Sequence, residues 1–309
     1  MPHRDDDYRR GLAFGTSAYL MWGAFPLYFP LLKPAGTTEI LAERMAWSFV
    51  TMVIVMLVGP GLGGVWRVLR DRRQLGLLAA AAFLVAANWG VYIYGVNSGH
   101  VVESSLGYFI NPLFTILLGV VVLGERLRPA QWVAVGIGAA AVAVITIDYG
   151  RPPWIALVLA LSFGMYGFCK KKAGVPALDS LAVETALQFV PAVVAVAIVG
   201  GQGSLVFGTR WDTSVLLALS GVITVVPLLC FAAGTRLLPL SVVGLLQFLT
   251  PVLQFSVGVG IRHEKLPTAE LLGFCLVWVA LIVLSADGLR AQQGARRTAR
   301  AARDEPVIV

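Results

Sequence analysis

The sequence predicts an all-α polytopic membrane protein, with ten transmembrane helices forming two inverted five-helix repeats. Three observations predict it. Apolar stretches of about 20 residues recur along the chain, the length that crosses a hydrocarbon core of about 30 Å. Only 13% of the 309 residues are charged and 58% are hydrophobic, with a mean hydropathy of +0.80; a soluble domain carries about a quarter charged residues. The third is an internal repeat with an odd number of spans in each copy.

The spans fall at roughly 11–31, 38–58, 74–94, 101–123, 129–147, 153–170, 178–199, 213–234, 239–260 and 267–287. They leave no stretch for a soluble domain. The segment before the first span, HRDDDYRR, is mixed in charge, and the span exceeds the 7–15 residues of a signal-peptide core. It therefore reads as a helix rather than a cleaved signal. With the N-terminus inside, the cytoplasmic segments hold 18 Lys and Arg and the outer ones five: Lys33, Arg151, Arg210, Arg262 and Lys265. That bias predicts both termini in the cytoplasm, and a multi-pass protein of the plasma (inner) membrane. The predicted divisions are a cytoplasmic N-terminus (1–10), a first repeat (11–147), a second, inverted repeat (148–287) and a basic cytoplasmic tail (288–309). The tail reads as solvated and largely disordered, with contact to anionic lipid as the alternative. The net charge of +7 is thus a topology signal and predicts no nucleic-acid partner.

Shifting the chain by 139 residues lays LGYFINPLFTILLGVVVLGERL (106–127) on LLQFLTPVLQFSVGVGIRHEKL (245–266), with seven of 22 positions identical. Pro112 meets Pro251 and Glu125 meets Glu264; a shift of 141 pairs Glu43 with Glu184. Five spans per copy is odd, so the second copy starts from the opposite face. Inverted repeats of this kind belong to secondary transporters, whose halves rock about a site near the midplane.

The stretch ESSLGYFINP (103–112) puts a carboxylate, a glycine, an amide and a proline inside one span. Pro112 cannot donate to the carbonyl of Tyr108, and Gly107 lets another backbone come close. Gly107, Pro112 and Pro251 are therefore candidate helix breaks. Matching breaks in two halves point to a transport site, although kinks also merely shape bundles. Charged residues inside spans cost roughly 2.5–3.5 kcal/mol each and need partners or water. Glu39 and Glu43 share a helix face, whereas Arg44 is rotated by about 100°. Arg44 lies about 9 Å into its span and Glu103 begins slightly higher in its own, which predicts an Arg44–Glu103 ion pair near the outer third. The second half does not copy these charges, since Arg44 falls on Thr185 and Glu103 on Val242. Such asymmetry suits either solute recognition or a structural ion pair. The candidate substrate-binding set is Arg44, Glu43, Glu103, Trp22, Asn88, Tyr92, Tyr108, Asn111, Tyr166, Glu184, Gln188 and Gln247, with Trp89 and Gln254 beside them.

Other signals fail. GPGLGG (59–64) follows a membrane helix rather than a strand, so it is no dinucleotide loop. There is no Gly-Lys dipeptide for a Walker loop, no G-x-S-x-G elbow, and the histidines (His3, His100, His263) lack metal-site spacing. Cys169, Cys230 and Cys275 lie far apart inside spans. No catalytic residues, metal or cofactor are expected, and no enzyme. GGVWRVLRDRR (63–73) reads as a basic amphipathic segment at the inner face.

The run NWGVYIYGVNSGHVVESSLGYFINPLFTILLGVVVLGERLRPAQW (88–132), with RMAWS (44–48) and VITVVPLLCFAAGTRLLPLSVVGLLQFLTPVLQF (222–255), resembles the RarD branch of the EamA-type permeases, in the drug/metabolite transporter superfamily. The resemblance covers about 11–287 and implies ten helices as two inverted EamA repeats. It also implies a plasma-membrane permease related to chloramphenicol sensitivity. It supplies no substrate and no binding residues. The expected function is a secondary transporter, an exporter of a small polar metabolite or drug by alternating access, with a non-transporting sensor or scaffold as the alternative. The expected partners are the substrate, the lipid bilayer and a coupling proton on Glu43, Glu103 or Glu184; the protein is a monomer or homodimer.

Overall fold

A computed structural model describes residues 2–59, 61–123, 128–238 and 246–304, and the described residues are helical with short connections. The first predicted span is not one helix. Helix α1 (Pro2–Gly23) ends where Gly23 is followed by Pro26, and the chain continues as a short α2 (Phe25–Tyr28) and a 3-10 turn (Phe29–Leu32). Both short pieces carry proline in their first turn, where the missing N–H would be unpaired anyway. Next come α3 (Thr37–Val58), α4 (Gly63–Arg70), α5 (Arg72–Asn97), α6 (Val101–Leu123) and α7 (Pro129–Tyr149). The second half supplies α8 (Trp154–Ala173), α9 (Ala177–Gly201), α10 (Trp211–Leu237), α11 (Leu249–Gly260) and α12 (Thr268–Asp304).

Among the described residues, five helices have the length and composition to cross a membrane: Thr37–Val58, Arg72–Asn97, Pro129–Asp148, Ala177–Gly201 and Trp211–Phe231. Trp154–Lys170, Leu249–Gly260 and Leu271–Asp287 are shorter apolar helices. Their outer faces carry exposed Leu57, Val58, Phe83 and Ile147, whereas Glu39, Arg44, Asn88 and Glu184 are buried within. Apolar side chains outward and polar ones inward suit a lipid surround. The predicted amphipathic segment is α4, and Asp71 begins α5 by accepting from the N–H groups of Arg73 and Gln74.

The chain forms two compact units, Met1–Thr115 with Trp154–Leu266, and Ile116–Pro153 with Pro267–Val309, each drawing on both halves of the sequence. In the first, α1 packs on α10, α5 on α8, and α3 on α9. These pairs follow the repeat: exchanging the halves turns the α1–α10 pair into α8–α5 and maps α3–α9 onto itself. In the second unit α7 packs on α12, which also maps onto itself, and Arg128 pairs with Asp287 at 2.6 Å.

Two expectations are corrected. The tail is helical to Asp304, because RAQQGARRTARAARD is rich in good helix formers and proline-free. Gly107 and Pro112 fall inside an unbroken α6. A single proline removes one hydrogen bond, and a packed membrane helix carries on through it, as α9 and α10 do at Pro191 and Pro227. The break does occur in the second half, where a turn at Gln247–Phe248 precedes α11 and Pro251 lies in the first turn of that helix. Gly107 instead provides close approach: a Cβ there would lie 2.7 Å from the Ala156 carbonyl oxygen and 2.9 Å from Leu159 Cβ of α8.

The repeat partner of Glu125, Glu264, has a structural task. Its two oxygens accept from the N–H groups of Val101 and Val102, both at 2.9 Å, which caps α6. Glu125 itself, like Leu127, Val242 and Leu245, lies outside the described residues. Glu264→Ala is expected to cost about 1–2 kcal/mol. Glu264→Gln, keeping one acceptor oxygen, should cost about half of that. Equal thermal-unfolding losses in detergent for both variants would contradict the capping role.

Candidate functional site

The first unit encloses a cavity of about 380 Å³. Its wall follows the repeat. At a shift of 141, Trp22 and Phe25 fall on Phe163 and Tyr166. At 139, Val85, Trp89, Tyr92 and Tyr108 fall on Thr224, Leu228, Phe231 and Gln247. All twelve line the cavity. A hydrogen bond is duplicated as well. Asn111 Nδ2 donates to the Ala160 carbonyl at 3.0 Å, and its counterpart Thr250 Oγ1 donates to the Tyr19 carbonyl at 2.8 Å, with Tyr19 the counterpart of Ala160. The polar residues beside the two prolines thus tie α6 to α8 and α11 to α1.

Arg44 breaks the symmetry. It is 3% exposed and lines the cavity. Its Nε donates to Thr224 Oγ1 at 2.7 Å, while Thr224 donates its own proton to the Ser220 carbonyl. The guanidinium lies 4.2 Å from the Trp89 ring centroid and 5.2 Å and 5.5 Å from those of Phe25 and Phe29. Nη1 has no hydrogen-bond partner among the described residues. The predicted Arg44–Glu103 pair does not form. Glu103 Oε1 accepts from the Ile155 N–H at 3.1 Å, at the start of α8, so its carboxylate serves backbone donors that need one. Glu39 does the same for Val206 and Phe207 at 2.9 and 2.8 Å.

The carboxylates stay off the wall. Glu43 accepts from Trp47 Nε1 at 3.0 Å and does not line the cavity. Glu184 accepts from Ser180 Oγ at 2.6 Å and Tyr166 OH at 3.1 Å, and pairs with Lys170 Nζ at 3.0 Å. Its partners Lys170 and Tyr166 reach the cavity though Glu184 does not. Gln188 donates to the Ala82 carbonyl at 2.8 Å, joining α9 to α5 away from the wall.

Of the predicted binding residues, Arg44, Trp22, Asn88, Tyr92, Tyr108, Tyr166 and Gln247 line the cavity, and Glu43, Glu103, Asn111, Glu184 and Gln188 do not. Asn88 is a hub: Nδ2 donates to the Leu159 carbonyl and Ser162 Oγ, and Oδ1 accepts from Tyr108 OH at 3.1 Å. Gln254 Nε2 donates to the Trp22 carbonyl at 3.2 Å, and its Oε1, like Tyr92 OH, has no hydrogen-bond partner among the described residues. Lys170, Thr224, Phe163 and Phe231 were missing from the predicted set. Applying the repeat shift to the predicted Trp22 and Tyr92 finds Phe163 and Phe231; Thr224 is the counterpart of Val85, an apolar residue that carried no signal of its own, and Lys170 counted only toward topology because it opens a run of three lysines.

The sequence pattern of the EamA-like transporter family matches residues 9–147 and again 152–286. The chain belongs to this family. "Protein RarD" of Streptomyces exfoliatus is 50% identical over 96% of this chain and 95% of that protein. "Protein RarD" of Escherichia coli is 37% identical over 94% and 98%, and "Chloramphenicol-sensitive protein RarD" of Pseudomonas aeruginosa 30% over 91% and 95%. A solved structure with 17% identity superposes with a TM-score of 0.58, covering 88% of this chain and 96% of that one, which shows the fold alone. The protein is a RarD-type EamA permease, integral to a membrane, with the two-repeat transporter fold.

Proposed function

We propose that this EamA permease is a secondary transporter that exports a small polar metabolite or drug by alternating access. The observation that carries the reading is a cavity walled by equivalent positions of two inverted repeats. Such a site can be exposed to either side when the halves exchange conformations. The export reading rests on the cytoplasmic part of the lining. Lys170, Ala177 and Leu181 line the cavity near the α8–α9 connection, which the Lys and Arg bias places on the cytoplasmic side of a plasma membrane with both termini inside. A coupling proton is best placed on Glu184, the carboxylate two of whose three partners, Lys170 and Tyr166, touch the cavity. The predicted bounds, repeats at 11–147 and 148–287, supply the two moving halves.

The test is solute flux in proteoliposomes with a panel of amino acids, organic acids and drugs. Chloramphenicol is included because one relative's name carries it. Wild type should move at least one solute, and Arg44→Ala should lose that flux while staying folded. Glu184→Gln should retain exchange but lose acceleration by a pH gradient. Flux of the transported solute that ignores the gradient in wild type would remove the proton from the mechanism.

A further inference from the structure

Among the described residues, the cavity carries one uncompensated positive charge. Arg44 is buried, its Nη1 is unpartnered, and it makes no ion pair among the described residues. The aromatic faces of Trp89, Phe25 and Phe29 offset part of its desolvation, and Thr224 fixes its orientation. A guanidinium held out of water still favours an anion strongly, and its remaining N–H groups match carboxylate oxygens. The second cation at the wall, Lys170, is neutralised by Glu184 at 3.0 Å while that carboxylate is ionised. No Asp or Glu lines the cavity among the described residues, so a ligand ammonium has no counter-charge there.

We infer that the transported solute is an organic monoanion: a monocarboxylate with a flat or branched apolar body, whose carboxylate sits on Arg44. This rests on the reading of the cavity as the solute site. The wall favours that body, with rings of Trp22, Tyr108, Phe163 and Phe231 around it. Gln254 Oε1 adds an acceptor with no donor among the described residues, so a hydroxyl or amide N–H on the solute has a partner too. A phosphate monoester brings nearly two charges to a site with one free cation among the described residues. A zwitterionic amino acid brings a cation to a site whose described residues offer no free anion. Both are disfavoured against the monocarboxylate on charge alone.

Five probes of similar size separate these cases: 3-phenyllactate, 3-phenylpropionamide, phenethylamine, phenylalanine and phenyl phosphate. Ligand-induced thermal stabilisation of the purified full chain reads binding, and proteoliposome counterflow reads transport. Phenyllactate should stabilise wild type at the lowest concentration of the five. Arg44→Gln should weaken that binding about 10- to 100-fold, while Arg44→Lys, which keeps the charge and loses the planar fork, should weaken it less. The Lys variant also decides the matter if the Gln variant fails to fold. Equal stabilisation by the amide or the amine, phenyllactate binding unchanged in both variants, or no response to any probe would each overturn the assignment. Counterflow of the amide or amine alone would also overturn it and leave transport standing. Phenyllactate binding through Arg44, with no flux of any solute, would instead overturn transport and leave the anion site standing.

Discussion

Replacing Glu184 with leucine is expected to lower the stability of the folded protein by about 3 kcal/mol. The carboxylate is buried and has three partners: Ser180 Oγ at 2.6 Å, Tyr166 OH at 3.1 Å and Lys170 Nζ at 3.0 Å. Leucine matches much of the volume but leaves an ammonium and two hydroxyls without their acceptor. Removing one member of a buried ion pair costs about 3–5 kcal/mol, mostly through the stranded charge. Lys170 keeps some water, with 26% of its side chain exposed, which holds the loss to the lower end. Removing both charges should therefore repair most of the damage. Glu184→Leu combined with Lys170→Met is expected to recover more than half of the loss, read as the thermal-unfolding midpoint in detergent. A double variant as unstable as the single one would show that the hydroxyl contacts, not the ion pair, hold α8 to α9.

The spans were legible because about 20 apolar residues have few other uses, and the repeat was legible because a proline and a glutamate stayed in register. Partner choice was not. Helical geometry correctly sent Arg44 to another helix, but it could not tell a threonine on α10 from a glutamate on α6. The deciding fact is that Glu103 serves the Ile155 N–H at the start of α8, and backbone demand of that kind leaves no mark on a sequence. Glu39 and Glu264 answer similar demands at Val206–Phe207 and Val101–Val102. Two carboxylates inside predicted spans, Glu39 and Glu103, are thus tied to main-chain donors, and Glu264, between spans, is tied in the same way. The helix break at Pro112 was misjudged for a related reason. A proline weakens one bond wherever it falls, and whether the helix then ends depends on its neighbours; α11 begins anew before Pro251, whereas α6 continues.

The second large effect is expected at Gly221. A Cβ built on this residue of α10 would run into the main-chain carbonyl group of Trp47 on α3, and would lie 2.7 Å from Trp47 Cβ. Main chain inside a helix cannot swing aside as a side-chain tip can, so the two helices must separate. Gly221→Ala should cost about 1–2 kcal/mol and Gly221→Val about 3 kcal/mol, since overpacking grows with each added carbon. The same crossing holds the site together: Thr224, one turn further along α10, accepts from Arg44 of α3 at 2.7 Å. Separation there lengthens the contact that orients the guanidinium, so Gly221→Val should lose transport even at temperatures where it stays folded. Gly136 on α7 supplies the opposite sign. Nothing lies within 4 Å of its added Cβ, so Gly136→Ala should stabilise by about 0.5–1 kcal/mol through helix propensity alone. Equal unfolding midpoints for Gly221→Ala and Gly136→Ala would mean that α3 and α10 part at no cost. The position of Arg44 would then not depend on their close packing.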